Sequence, residues 1–369
     1  MRKKRLTVVM CLFLLVQCSA SHDCEPTDIT CSPLLATLAY SKVQRGRGVY
    51  ASTNASQIIS MFRIDFVNST MDLAGAGSIA TGGTTRGIAV DSAASIVYAA
   101  VITFPELKSF RADPETGVLT HLQSFTMPSG NGNTLAMHPS GRFIYAVGST
   151  QIQVYSADGK GGMNSVGGLV GGLSSSRKPI VDPTGRYLYV GDAATTFKRF
   201  DIASDGTLSN MISPSCGVQA ISLAFAQNGS LVHCFNPTTS DVSHYRLQAD
   251  GSLLAAGTYT PGVAGYTAGA YAALESILFI VDSTANLIRP HLVDASSANV
   301  VLSPIGTPIS VPATATDILI DPTGRYIALL SNASVSLLSI GADGYSLRLI
   351  GTQNVPTASD FVLYRPFLF

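Results

Sequence analysis

Apolar, strand-length runs alternate along most of this chain with turns built from Asp, Pro, Gly and Ser, and one such unit recurs. The segment VDPTGRYLYV at 181–190 returns as IDPTGRYIAL at 320–329 and as MHPSGRFIYAV at 137–147. Looser copies are VDSAASIVYAA (90–100), FAQNGSLVHCF (225–235) and YAALESILFIV (271–281), and GVYAST (48–53) matches the second half of one more. Aligning the copies makes Tyr50, Tyr98, Tyr145, Tyr189, His233, Phe279 and Ala328 equivalent, at intervals of 48, 47, 44, 44, 46 and 49 residues. A period of roughly 46 is what four short strands and their turns require.

Two further signals keep that register. An apolar or ring residue follows each ladder position: Phe62, Phe110, Tyr155, Phe200, Tyr245, His291 and Leu338. Asp158-Gly159, Asp205-Gly206, Asp250-Gly251 and Asp343-Gly344 then stand between alternating runs and read as two-residue hairpin turns, with Asp113 to Gly117 a longer version. Each unit therefore reads strand, D-P-T-G turn, strand, loop, strand, D-G turn, strand. The apolar segment ahead of D-P-T-G is the inner strand, and Pro183, Pro322, Gly185 and Gly324 suit tight turns.

The expected fold is all-β: a seven-bladed β-propeller of four-stranded antiparallel blades over 45–369. The first strand, at 48–52, lacks an inner partner, and DFVLYRP (360–366) looks like an inner strand with no blade after it. Placing 361–364 in the blade begun at Tyr50 closes the ring with the C-terminal strand and removes open edges.

Composition agrees with a packed domain. Of 369 residues 46% are hydrophobic and 12% charged, and the 34 Gly and 18 Pro are scattered as many turns demand. The chain has no Trp, which sets it apart from WD-repeat propellers. Formal net charge is zero, but Arg2, Lys3, Lys4 and Arg5 all lie in the first 20 residues, so 19 basic residues face 23 acidic ones beyond them. No basic patch for nucleic acid is visible, and no partner of that class is expected.

The amino terminus reads as an export signal over 1–20, followed by a tether over 21–44. MRKKR is a basic start and LTVVMCLFLLV an apolar stretch short of a bilayer span. Two processing readings stand side by side. Cleavage after Ala20 uses Cys18-Ser19-Ala20. A lipobox, Leu15-Val16-Gln17-Cys18, would instead acylate Cys18, although Gln17 departs from the small residue usual there. The expected location is the periplasm, outer membrane or cell surface, with a lipid anchor under the second reading and no transmembrane span under either. Cys24 and Cys31 would close a small loop. Cys216 and Cys234 either bridge one blade or remain buried thiols.

With D-P-T-G-R-Y-L-Y-V in place, the chain resembles the lactonase-type seven-bladed propellers, the relatives of 6-phosphogluconolactonase and carboxymuconate cyclase. The resemblance covers most of 45–369 and implies the fold. Such enzymes carry histidines in the inner strand ahead of a P-D-G turn, then a D-L-G-x-D-like stretch. Here the matching residues are Arg177-Lys178-Pro179-Ile180-Val181-Asp182 and Gly191-Asp192-Ala193-Ala194-Thr195-Thr196. Neither pattern is retained, so no catalytic residue is carried over.

The residues offer no catalytic motif of their own: no Walker sequence, no G-x-S-x-G and no H-E-x-x-H. His138 reads as a turn residue, His233 and His291 as blade-packing rings, and His121 and His244 as exposed positions on outer strands. Asp91, Asp182 and Asp321 are turn residues of different blades rather than paired carboxylates. Arg142, Arg186 and Arg325 should pair with nearby turn carboxylates or carbonyls. Ligands of propellers sit at the mouth of the central channel, lined here by Arg86, Asn133, Arg177, Lys178, Gln219, Thr267, Asp317 and Asp360. Polar groups of mixed sign there suit a polar or anionic small ligand, and no cofactor or metal is expected. Two functions follow. One is a non-catalytic envelope protein binding a protein, a glycan or a small polar ligand. The other is a lactone hydrolase of the 6-phosphogluconolactonase type, with Asp317 or Asp360 as base and a basic group at the oxyanion.

Overall fold

The computed structural model describes residues 48–364 except 66–67, 69, 129–133, 175, 193–195, 214–221, 227, 237–238, 262–264, 273–275, 312–313 and 322–323. The leader, the tether, Cys18, Cys24 and Cys31 lie outside the described residues, as do Asn133, Cys216 and Gln219.

The described residues form seven antiparallel sheets, four strands deep, and in six of them the strands run in chain order from the inside out. Blades 1 to 6 have the inner strands Thr85–Asp91, Thr134–Met137, Ser176–Val181, Ser222–Phe225, Tyr266–Tyr271 and Ala315–Ile320. Blade 7 joins the two ends of the chain. Its inner strand is Ala358–Tyr364, paired antiparallel with Gly48–Thr53 so that Tyr50 stands opposite Val362. The ring is closed by the C-terminal strand, as the missing partner of Gly48–Thr53 demanded. In blade 5 the outermost position is shared by Val301–Pro304 and Ile309–Ser310, both paired with Leu287–Asp294. Among the described residues no helix is long and apolar enough to cross a membrane.

The ladder residues sit in the second strand of each blade. Tyr50, Tyr98, Tyr145, Tyr189, His233, Phe279 and Ala328 are all fully buried. A single blade cannot hide both of its faces, so these rings fill the space between neighbours. Some also bond across it. The Tyr50 hydroxyl donates to the Gly117 carbonyl of blade 1 at 2.8 Å, and that of Tyr189 to the Gly251 carbonyl of blade 4 at 3.2 Å. The repeating turn thus serves as an acceptor for the preceding blade.

The D-G turns are not the two-residue kind. The Ala203 amide donates to the Thr207 carbonyl and the Gly206 amide to the Ala203 carbonyl, leaving three residues in the loop. Gln248 to Ser252 repeats this pattern. A two-residue type I′ turn needs positive φ at both central residues, whereas here Gly206 (φ 86) has it and Asp205 does not. The Asp side chain instead caps the turn: Asp205 accepts from the Thr207 amide at 3.0 Å and Asp250 from that of Ser252 at 2.9 Å. The D-P-T-G turn is capped similarly, with Asp182 accepting from the Tyr187 amide at 2.7 Å and Asp321 from that of Tyr326 at 3.0 Å.

Candidate functional site

The inner strands share a defect at the same height. Five of them slip register near their start, with one extra residue at Arg86, within 177–178, at Thr267, at Thr316 and at Ser359. A bulge of this kind bends the strand and re-aims the side chains beside it. Counting from the buried ladder, the residue at this level is Asp360 opposite Ser52, Gly87 opposite Ala100, Thr134 opposite Val147, Ser222 opposite Phe235, Ala268 opposite Val281 and Asp317 opposite Leu330. Lys178 holds the place in blade 3, just before Pro179, which opposes Val190. The layer therefore carries one cation, two carboxylates, two hydroxyls and two small apolar residues.

Those charges meet across the channel. In a ring of seven, blade 3 faces the pair formed by blades 6 and 7. Lys178 Nζ lies 2.5 Å from Asp317 Oδ2 and 3.0 Å from Asp360 Oδ1. The ammonium also stands 5.7 Å from the centre of the Phe361 ring. Asp360 is further tied: Oδ2 accepts from the Ile88 amide of blade 1 at 3.1 Å, and Oδ1 from the Phe361 amide at 2.9 Å. Asp317 Oδ1 accepts from the Ile318 amide at 2.8 Å. No Cβ could replace the hydrogen of Gly87, because it would come within 2.8 Å of the Leu135 amide and of Thr134. The small residue lets blade 2 approach at the level of the bar.

Side-chain exposure is 36% for Lys178, 24% for Asp317 and 5% for Asp360. Burial opposes the Lys178 charge, but the two carboxylates outweigh it and hold the ammonium above the ordinary lysine value. Burial raises Asp360 above the usual carboxylate range, against the pull of Lys178. A salt bridge in such a place gains little if desolvation is uncompensated, so the extra amide donors matter. Chemically, the charges are spent on each other, and neither carboxylate is a free base.

The other residues expected at the mouth fare differently. Arg86 is exposed at its bulge, and its carbonyl accepts from Ser52 Oγ at 3.1 Å and Ser359 Oγ at 3.3 Å. Arg177 lies within the inner strand of blade 3. Thr267 places a buried hydroxyl at its bulge without a hydrogen-bond partner. Cys234 is disulfide-bonded, to a partner outside the described residues. Among the described residues no three His, Cys, Asp or Glu side chains converge as metal ligands.

The remaining polar residues serve the blades. His138 accepts from the Ser140 amide at Nδ1 (3.1 Å), and its Nε2 donates to the Gly185 carbonyl of the next blade (2.9 Å). Arg186 gives Nη1 to the Ala249 carbonyl at 3.2 Å and Nε to Thr184 Oγ1 at 3.0 Å. His121 is exposed, and His233 and His291 are fully buried, as the sequence implied. His244 is not exposed: it is 1% accessible. Its register opposite His233 puts both rings on one face, and the next blade covers that face.

The geometry defines a seven-bladed β-propeller with a charged bar across one level of its channel. Residues 16–132 match the family model described as Lactonase, 7-bladed beta-propeller. The resemblance carried by the D-P-T-G repeats therefore holds, and the chain is similar to the lactonase-type propellers. No curated protein matches it. Among solved structures, a candidate 6-phosphogluconolactonase from Bacteroides fragilis is similar at 15% identity, with a TM-score of 0.72 over 88% of this chain and 99% of that one. The periplasmic gluconolactonase of Pseudomonas aeruginosa is similar at 15% identity and a TM-score of 0.68, over 86% of this chain and 99% of that one. A Lactobacillus plantarum protein gives 16%, 0.73, 86% and 99% in the same measures. At these identities the likeness speaks for the fold.

Proposed function

We propose that this is an exported lactonase-like propeller that binds a polar ligand at its channel mouth without turning it over. One observation carries the reading: the two mouth carboxylates available as a base, Asp317 and Asp360, are both engaged by Lys178, at 2.5 and 3.0 Å. A general base must reach the proton it takes, and here both carboxylates are held by the Lys178 ammonium, which favours their ionised, paired form over proton uptake. The unmatched inner-strand histidines point the same way. Calorimetry of the purified chain with neutral and anionic sugar lactones and their open-chain acids is expected to give binding without hydrolysis. Absence of binding by every compound would remove this reading, and so would turnover above background.

The second reading is lactone hydrolysis, favoured by the lactonase family match and by the likeness to a periplasmic gluconolactonase. Asp317, the more open carboxylate, would take a proton from water while Lys178 or Arg177 faced the oxyanion. Turnover that disappears in Asp317→Asn and in Arg177→Ala is its signature. Export and the lipid are tested by intact mass, which separates a chain beginning at Ser21 from one acylated on Cys18.

A further inference from the structure

All three buried histidines among the described residues lie at one seam, between blades 4 and 5. His233 and His244 stand opposite each other on adjacent strands of blade 4, Leu231–Phe235 and Val242–Leu247. Their Nδ1 atoms are 2.7 Å apart, so one ring donates and the other accepts. His233 Nε2 is hydrogen-bonded to the Tyr271 hydroxyl at the end of the inner strand of blade 5. His244 Nε2 is buried without a partner. His291, on Leu287–Asp294 of blade 5, is held edge-on between Tyr259 of blade 4 (5.4 Å) and Tyr266 (5.9 Å). Its Nδ1 donates to the Arg289 carbonyl at 3.1 Å, which leaves Nε2 a bare acceptor, also buried without a partner.

The titratable and charged groups around these rings give an imidazolium nothing to pair with. They are Tyr245, Arg246, Tyr259, Tyr266, Tyr271, Asp282 and Arg289. Asp282, the one carboxylate, is bound by Arg289 at 2.9 Å and accepts from the Ala285 amide at 2.9 Å. Arg246 spends its guanidinium on the Ala295 and Ser297 carbonyls. A proton on His291 Nε2 would bury an N–H without an acceptor. A proton added at His244 Nε2 would likewise be buried without an acceptor, and with both rings of the pair cationic two N–H groups would face each other.

We propose that the blade 4–blade 5 seam is an acid-operated joint, which opens when its buried histidines take up protons while the other seams stay closed. Burial holds both His244 and His291 down to about 4, so the neutral forms are the ones the seam accepts. The inner strand Tyr266–Tyr271 belongs both to this seam and, through Ala268, to the channel layer. Acid therefore loosens one wall of the channel. This goes beyond ligand binding at the mouth and does not depend on it.

Hydrogen exchange of the full exported chain, read by mass spectrometry at about pH 7.5 and about pH 5 and corrected for intrinsic rates, tests the joint. Segments 231–235, 242–247 and 287–294 are expected to open several hundredfold more readily in acid, while 96–101 and 143–147 in blades 1 and 2 hold their protection. The double variant His244→Phe, His291→Phe should lose most of that acid response, keeping only the share of His233. Uniform loss of protection, or no loss at the seam, overturns the proposal from the parent protein alone. A seam that opens in acid as readily in the double variant as in the parent overturns the assignment to these histidines.

Discussion

The channel layer and the blade 4–blade 5 seam both hold polar groups away from water, and they do it in opposite ways. At the channel, Lys178, Asp317 and Asp360 keep their charges and neutralise one another. At the seam, His233, His244 and His291 give up theirs, because burial favours the neutral ring and no free carboxylate faces them. A charge with a partner can be buried; a charge without one is better discarded. The two regions should therefore fail under different insults, the seam to protons and the bar to loss of its cation.

Acid should produce the larger effect. Unfolded histidine titrates near its ordinary value of about 6.5, whereas His244 and His291 in the fold are held near 4. The unfolded chain then binds protons first as pH falls. Stability is complete above about pH 7, declines as pH drops through the unfolded value, and levels off below the folded one. Each of these two groups should cost about 2 kcal/mol by pH 5, roughly 4 together. Urea unfolding at about pH 7.5 and pH 5 measures the difference. If His244→Phe, His291→Phe shows the parent's slope, the seam is not where the protons bind.

Breaking the bar comes next. Lys178→Met leaves the buried Asp360 facing Asp317 with no cation between them. The expected loss at neutral pH is about 3 kcal/mol, at the low end for a broken buried pair because Lys178 is partly open to the channel. Adding Asp360→Asn should recover part of it by removing one of the two stranded charges. A Lys178→Met protein that melts like its parent would show the bar to be an ornament of a fold that stands without it.

The two regions were unequally legible in the sequence. The ladder from Tyr50 to Ala328 announced the ring because packing between blades repeats with the chain, so each copy reports the same environment. The channel residues Lys178, Asp317 and Asp360 could be placed at the mouth, since the start of each inner strand follows from its turn. That they touch could not be read, because contact across the ring depends on bulges whose register the alternation pattern does not encode. The seam was missed at His244. Strand alternation put it on the same face as His233, but that face is covered by another blade, whose Tyr271 packs on His233 from 38 positions on. The D-G turns misled in a smaller way: the dipeptide suits a type I′ loop, and the Asp cap selected the longer one.

The smallest effect separates a bonded ladder ring from an unbonded one. Tyr50 and Tyr98 hold equivalent places, each fully buried, but the Tyr50 hydroxyl donates to Gly117 at 2.8 Å while that of Tyr98 has no partner. The carbonyl that Tyr98 would be expected to reach, that of Gly161, is taken by Ser109 Oγ at 2.8 Å. Tyr50→Phe strands that carbonyl and should cost about 1 kcal/mol. Tyr98→Phe removes a buried hydroxyl that makes no hydrogen bond and should be neutral or slightly stabilising. Thermal melts of the two variants in parallel decide it, since their apolar burial changes equally. Equal destabilisation would mean that Tyr98 bonds in solution. A stable Tyr50→Phe would mean that the hydroxyl–turn contact does not help hold blade 7, where the chain's two ends meet, against blade 1.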